Sequence, residues 1–262
     1  ALIGVAEKGY LSVVLKTSAT PGHSSMPQPK GSSAIAMMSA ALQRIDDKQL
    51  PGAIRGVAGE MFATIAPEMS GFSRVALSNL WLFGPLVQKQ LEASASTNAM
   101  LRTTTALTMA HAGNKENVLP GQAEATVNFR LLPGDTRDQV VERTRALVAD
   151  ATHNGKFELH ALPGGAEASK VAPTDSAQYA LINRTVREVF PGTLVAPGLM
   201  IGGSDSIHFG DISDHIFKFS PVRAGPQDLS RFHGTNERIA VSNLAELIRF
   251  YHRLLTQGAK AS

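Results

Sequence analysis

The chain is 262 residues long, 43% hydrophobic and 18% charged, with no cysteine and a mean hydropathy of −0.03. That composition excludes a disordered tail, a disulfide scaffold and a fibrous repeat, and leaves a globular protein of one large or two ordinary domains. Lys plus Arg is 25 against 22 Asp plus Glu, a net charge of +3 without a basic run, which argues against nucleic acid as a partner.

No stretch reaches the roughly 18 uninterrupted apolar residues of a membrane span, and no charged leader ahead of an apolar core opens the chain. A soluble protein is expected, with its compartment left open. Zero cysteine removes thiol nucleophiles and thiolate zinc sites together.

In chain order, residues 1–6 read as a buried strand, so the chain is expected to start inside a larger protein. Residues 10–17 alternate with period two as a half-buried strand. Residues 18–30 form a loop punctuated by Pro21, Gly22, Pro27 and Pro29. A helix follows over 31–45, capped by Ser32 or Ser33, with Ile35, Met38, Leu42 and Ile45 on one face. Residues 49–97 change texture. Pro51, Pro67 and Pro85 are expected to break a helical insertion whose bulky exposed candidates are Met61, Phe62, Trp81, Leu82 and Phe83.

Strand character returns over 103–109 and, after the Pro120-Gly121 turn, over 123–132. A helix is expected between 135 and 150, carrying Val140, Val141, Leu147 and Val148, and a strand over 157–162. Strand, helix, strand, strand, helix, strand is a ferredoxin-like two-layer unit. Residues 163–173 turn to Gly, Ala, Pro and Ser, a boundary composition. Beyond it come a helix over 175–190, a strand over 194–201, a Gly202-Gly203-Ser204-Asp205 turn, a strand over 215–219 and a closing helix over 241–255. Two short strands cannot complete an α/β sheet, so this part needs strands from elsewhere.

Four places offer chemistry. His23, in a loop fixed by Gly22 and Pro27, exposes an imidazole. Arg130 is a cation in an apolar strand, suited to a carboxylate of the protein or of a ligand. The Gly202–Ser206 turn could offer backbone N–H groups to an anion, or simply cap a turn; it is neither a nucleophile elbow nor a dinucleotide fingerprint. His233 and Glu237 stand four apart before a helix, short of the three protein ligands that an open zinc site needs. The eight histidines (23, 111, 153, 160, 208, 215, 233 and 252) include no H-E-x-x-H and no H-x-H. Asp205, His208, Asp211, Asp214 and His215 are explained by a solvated loop. Composition and spacing alone thus give an α/β protein with a candidate anion site and an incomplete metal site.

Taken in order, Glu7-Lys8-Gly9, Gly22-His23-Ser24-Ser25, Leu80-Trp81-Leu82-Phe83, residues 102–108, Asn117-Val118-Leu119-Pro120, residues 125–130 and residues 233–239 resemble one family. It is the Gly-Xaa carboxypeptidase and aminoacylase family of co-catalytic zinc metallopeptidases, in its carboxypeptidase S and N-fatty-acyl-amino-acid synthase/hydrolase branch. The resemblance implies an α/β catalytic domain interrupted by a smaller α+β lid. Residues 10–165 would be the lid and dimerisation domain, with the insertion at about 49–97; residues 1–9 and 166–262 would be pieces of the catalytic domain.

It further implies two zinc ions in the intact parent, with His233 as the C-terminal metal ligand. His23 would be the lid histidine that stabilises a tetrahedral oxyanion, often in a partner subunit's site. Asn117, Arg130, Gly203 and Ser204 would hold the substrate's carboxylate, and Asp205 and Glu237 would orient the metal site. The other ligands and the general base of the family precede the position matched by Ala1, so the chain alone is expected to be inactive. The expected substrates are N-acyl amino acids or small dipeptides, and a homodimer through the lid is expected. A non-catalytic dimerisation or binding module derived from the family is the alternative; a serine hydrolase is third.

Overall fold

A computed structural model describes residues 1–151 and 156–260. His153 of the sequence reading lies outside the described residues. The fold is mixed α/β, in two modules joined at the Glu7-Lys8-Gly9 junction.

The first strand, β1 (Leu2–Glu7), leads directly into β2 (Gly9–Ser18). A two-residue strand, β3 (Gly22–His23), precedes α1 (Ala34–Asp47). Ser33 is the residue that caps α1, its side chain accepting the Ala36 N–H at 3.3 Å. With the helix starting at Ala34, the buried stripe is Ala34, Met37, Met38, Ala41 and Ile45. Ile35 falls off that stripe and stays 48% exposed, against the expected face.

The insertion holds α2 (Gly56–Ile65), α3 (Gly71–Ser78), α4 (Leu80–Glu92) and α5 (Ala95–Leu101). Pro85 lies inside α4 rather than ending it. It sits in the second turn and gives up one backbone donor while the rest of the helix carries on. Trp81 and Leu82 are exposed as expected, at 83% and 57%. Met61 and Phe62 are instead buried, because α2 lies against the strand carrying Ala196 and presses both side chains onto it.

Then come β4 (Thr104–Ala112), β5 (Val118–Leu119), β6 (Gln122–Leu131), α6 (Arg137–Ala151) and β7 (Phe157–Ala161). Four of these strands form one antiparallel sheet in the order β4-β6-β2-β7, the ferredoxin-like arrangement that the element order implies. Odd-numbered residues of β2 and β6 (Leu11, Val13, Leu15, Val127, Phe129, Leu131) face α1 and α6 and make the core of this module. Each such side chain contributes about 1.5–3 kcal/mol through burial.

The second module is built from β1, α7 (Ala177–Val189), β8 (Ala196–Met200) and α8 (Val241–Gly258). β1 and β8 pair in parallel, Leu2 opposite Ala196 and Glu7 opposite Met200. Their core of Ile3, Val5, Ala6, Val186, Val195 and Phe250 also takes Val57 from the insertion. The strand expected over 215–219 shrinks to a single bridge, Lys218 to Gly4, with both hydrogen bonds at 2.8 Å. Pro221 behind it has no N–H with which to extend the pairing.

Candidate functional site

Strand alternation at the junction turns neighbouring side chains to opposite sides. Glu7, 4% exposed, turns toward the loop after β8. Its carboxylate accepts the Ser204 N–H at 2.7 Å, the Ser204 hydroxyl at 2.5 Å and the Ser206 hydroxyl at 2.9 Å. The turn therefore does bind an anion, and in this structure the anion is the protein's own. Ser204 also caps the 3₁₀ turn Asp205–Phe209, at whose head Asp205 lies exposed.

Lys8, also 4% exposed, turns the other way. Its ammonium donates to the carbonyls of Ala99 and Arg102, each at 2.9 Å, and to Thr104 Oγ1 at 3.4 Å. Burial first, and the Arg130 charge second, pull its pKa from 10.5 to about 8; Asp135 opposes them. Gly9 has no room for a side chain, since a Cβ there would lie 2.6 Å from Ala166 O and Ala168 N. The backbones of 7–10 and 166–169 cross here, with Tyr10 and Ala166 exchanging hydrogen bonds at 2.8 and 2.9 Å.

Arg130, opposite Tyr10 and Thr104 in the sheet, is an even-numbered residue of β6 and so faces away from α1 and α6. It is half-buried, with its guanidinium carbon 4.7 Å from the centroid of the Tyr10 ring. Among the described residues it has no carboxylate partner within ion-pair distance.

His23 and Asn117 are brought together by a feature the sequence reading missed, the β3–β5 pair, in which His23 is opposite Val118. Asn117 O accepts the Ser24 N–H at 3.0 Å. The Ser25 N–H donates to His23 Nδ1 at 3.2 Å and the Ser25 hydroxyl lies 2.8 Å from the same nitrogen, which leaves Nε2 without a protein partner among the described residues. The imidazole is exposed. This pair lies beyond the far end of the sheet from Arg130. In the β2–β6 register, Arg130 sits at Tyr10 and Gln122 at Ser18, eight residues on. At about 3.4 Å per residue, Arg130 and Gln122 are roughly 27 Å apart along β6, and the β3–β5 pair lies past the Gln122 end.

His233 and Asn236 both have left-handed backbone, at φ 55° and 61°, in a tight exposed loop. The His233 N–H donates to Glu237 Oε1 at 3.3 Å. Among the described residues, no group of three or more His, Cys, Asp or Glu side chains converges as a metal site. One imidazole is not a site, so these residues do not by themselves fit a metal centre. Asp214 is instead paired with Lys170 at 2.9 Å.

Sequence reasoning missed the roles of Glu7 and Lys8. The signal was present: two charges end the apolar run Ala1-Leu2-Ile3-Gly4-Val5-Ala6, and buried charges need partners.

Fold and site together define a two-module α/β protein, a ferredoxin-like module joined to a parallel-stranded one, with polar groups gathered at the junction and past the far end of the four-stranded sheet. Residues 5–156 match the M20 peptidase dimerisation domain, and the chain belongs to the M20 peptidase family, a family of metallocarboxypeptidase-like hydrolases. It is 39% identical over 257 residues to an N-fatty-acyl-amino acid synthase/hydrolase of Xenopus tropicalis, covering 97% of this chain and 49% of that protein. A probable carboxypeptidase S-like protein of Dictyostelium discoideum is 33% identical over 260 residues, with 99% and 49% covered. The chain thus spans about half the length of the curated relatives it matches. Among solved structures, an M20 family metallo-carboxypeptidase from Sulfolobus solfataricus matches with TM-score 0.64 at 18% identity, covering 97% of this chain and 59% of that one. Human carnosine dipeptidase 1 matches with TM-score 0.60 at 16% identity, covering 97% and 55%. At that identity the likeness concerns the fold. Among the described residues, no helix is long and apolar enough to cross a membrane.

Proposed function

We propose that the chain is the lid and C-terminal catalytic segment of a metal-dependent M20 hydrolase. The enzyme would act on the amide bond of N-acyl amino acids or small dipeptides that carry a free carboxylate. The observation that carries this reading is Arg130, a half-buried guanidinium at the junction with no carboxylate partner among the described residues. Its guanidinium carbon lies over the Tyr10 ring, and a guanidinium suits bidentate capture of a planar carboxylate. Across the junction, the Gly203-Ser204 turn is the second element that would face that carboxylate.

His23 would donate its Nε2–H to the oxyanion that develops on the scissile carbonyl, with Asn117 beside it. Because they lie past the opposite end of the sheet from Arg130, His23 and Asn117 of one copy would not reach a substrate held by the same copy's Arg130. They would serve the site of a second copy, in line with a dimerisation domain. The metal is proposed to be zinc, with His233 as this chain's donor, Asp205 and Glu237 as its neighbours, and the remaining donors outside the described set.

The test is Arg130→Ala in the enzyme whose metal centre is complete. KM should rise strongly for substrates with a free carboxylate and little for their esters or amides; equal effects on both would refute the carboxylate role.

A further inference from the structure

The Gly202–Ser206 turn is shaped less by its own sequence than by a side chain 197 residues away in the chain, at the end of the neighbouring strand β1. Glu7 is buried at the end of β1 and makes no ion pair with a cation among the described residues. Its carboxylate is satisfied by three donors from the turn: the amide of Ser204 and the hydroxyls of Ser204 and Ser206. The Ser204 hydroxyl also contacts Ser206 Oγ at 2.9 Å, closing a ring of polar contacts around the carboxylate. With its amide and hydroxyl both committed to Glu7, Ser204 has no backbone donor left for a ligand. Gly203 is different. Its N–H has no protein partner among the described residues, and its backbone packs where a Cβ would sit 3.8 Å from Glu7 Oε1.

We propose that Glu7 is a positioning residue for substrate recognition: its carboxylate takes up Ser204 and so presents the Gly203 amide to the substrate's carboxylate. This rests on the carboxylate-binding reading above and narrows it to one amide. The geometry is economical, because β1 and β8 are already paired with Glu7 opposite Met200, three residues before Gly203. A single carboxylate then fixes the backbone just beyond the end of the ladder, where strand pairing no longer does. Gln retains the carbonyl that accepts the Ser204 N–H, whereas Ala retains nothing, so the two variants separate shape from mere occupancy of the space.

The test measures kcat and KM on an N-acyl amino acid and on its methyl ester, in the metal-complete enzyme, for wild type, Glu7→Ala, Glu7→Gln and Ser206→Ala. Glu7→Ala should raise KM for the free acid at least tenfold, leave kcat within about threefold, and change KM for the ester less than threefold. Glu7→Gln should restore most of the loss, and Ser206→Ala, which removes one of the three donors, should fall between wild type and Glu7→Ala. If Glu7→Ala does not fold, Glu7→Gln and Ser206→Ala decide: an unchanged KM in both overturns the proposal. A fall in kcat with KM unchanged overturns it as well, since a purely structural role lowers the active fraction only. A wild type without preference for the free acid would instead refute the carboxylate reading itself.

Discussion

Lys8 makes a quantitative test of the junction between the two modules. Buried among the Ala99 and Arg102 carbonyls and Thr104, its ammonium has a pKa drawn from 10.5 to about 8, chiefly by burial and then by Arg130. The sign follows directly. Between about pH 8 and 10.5 the unfolded chain holds a proton on Lys8 that the folded chain has lost, so stability rises with pH through that window. The penalty for burying the charge is present in full at neutral pH and is relieved as the group becomes neutral. Between pH 7 and pH 10 the relief is on the order of 2–3 kcal/mol, from the free-energy equivalent of a pKa shift. Urea denaturation of wild type and Lys8→Met at pH 7, 8, 9 and 10 isolates it, because all other titrations are common to both. The difference in unfolding free energy should shift in favour of wild type as pH rises. A difference that stays flat or falls would refute the assignment of Lys8 as a buried, destabilised charge.

Other outcomes follow from the same geometry. Gly9→Ala drives a Cβ to 2.6 Å from the backbone of Ala166 and Ala168, and calorimetry should show a loss of about 1–3 kcal/mol from the forced shift. Phe250→Ala, at 1% exposure and in ring contact with Phe219 and Tyr251, should cost about 3–5 kcal/mol in chemical denaturation. Mixing metal-complete subunits carrying His23→Ala with subunits carrying His233→Ala should recover about a quarter of wild-type activity, because half of the randomly formed dimers hold one intact site. No recovery on mixing would mean that His23 does not serve a partner's site.

The four-stranded module was legible in the sequence because period two along 10–17 and 123–132 names one buried face, while the helix over 31–45 was found but its buried stripe was misplaced at Ile35. Alternation even decides Arg130: Val127, Phe129 and Leu131 point into the core, so Arg130 points out of it. What stayed hidden was long-range. Met61 and Phe62 looked like exposed insertion residues until α2 was seen to lie on β8, and no local pattern announces that packing. The short β3–β5 pair joins residues almost a hundred positions apart through two residues each, below the length at which alternation can be read. The Gly202–Ser206 turn announced an anion but not which one, since Glu7 lies 197 residues from Ser204. The strand expected over 215–219 had the composition of a strand but only one pairing residue.

The central proposal is that Arg130 and the Gly203 amide hold the substrate of an M20 hydrolase and that His233 is the metal donor among the described residues. The direct measurement is metal content of the purified, folded chain by atomic absorption, beside its turnover of an N-acyl amino acid. The account predicts a folded protein with substoichiometric zinc and no hydrolysis. Stoichiometric zinc with turnover would contradict it.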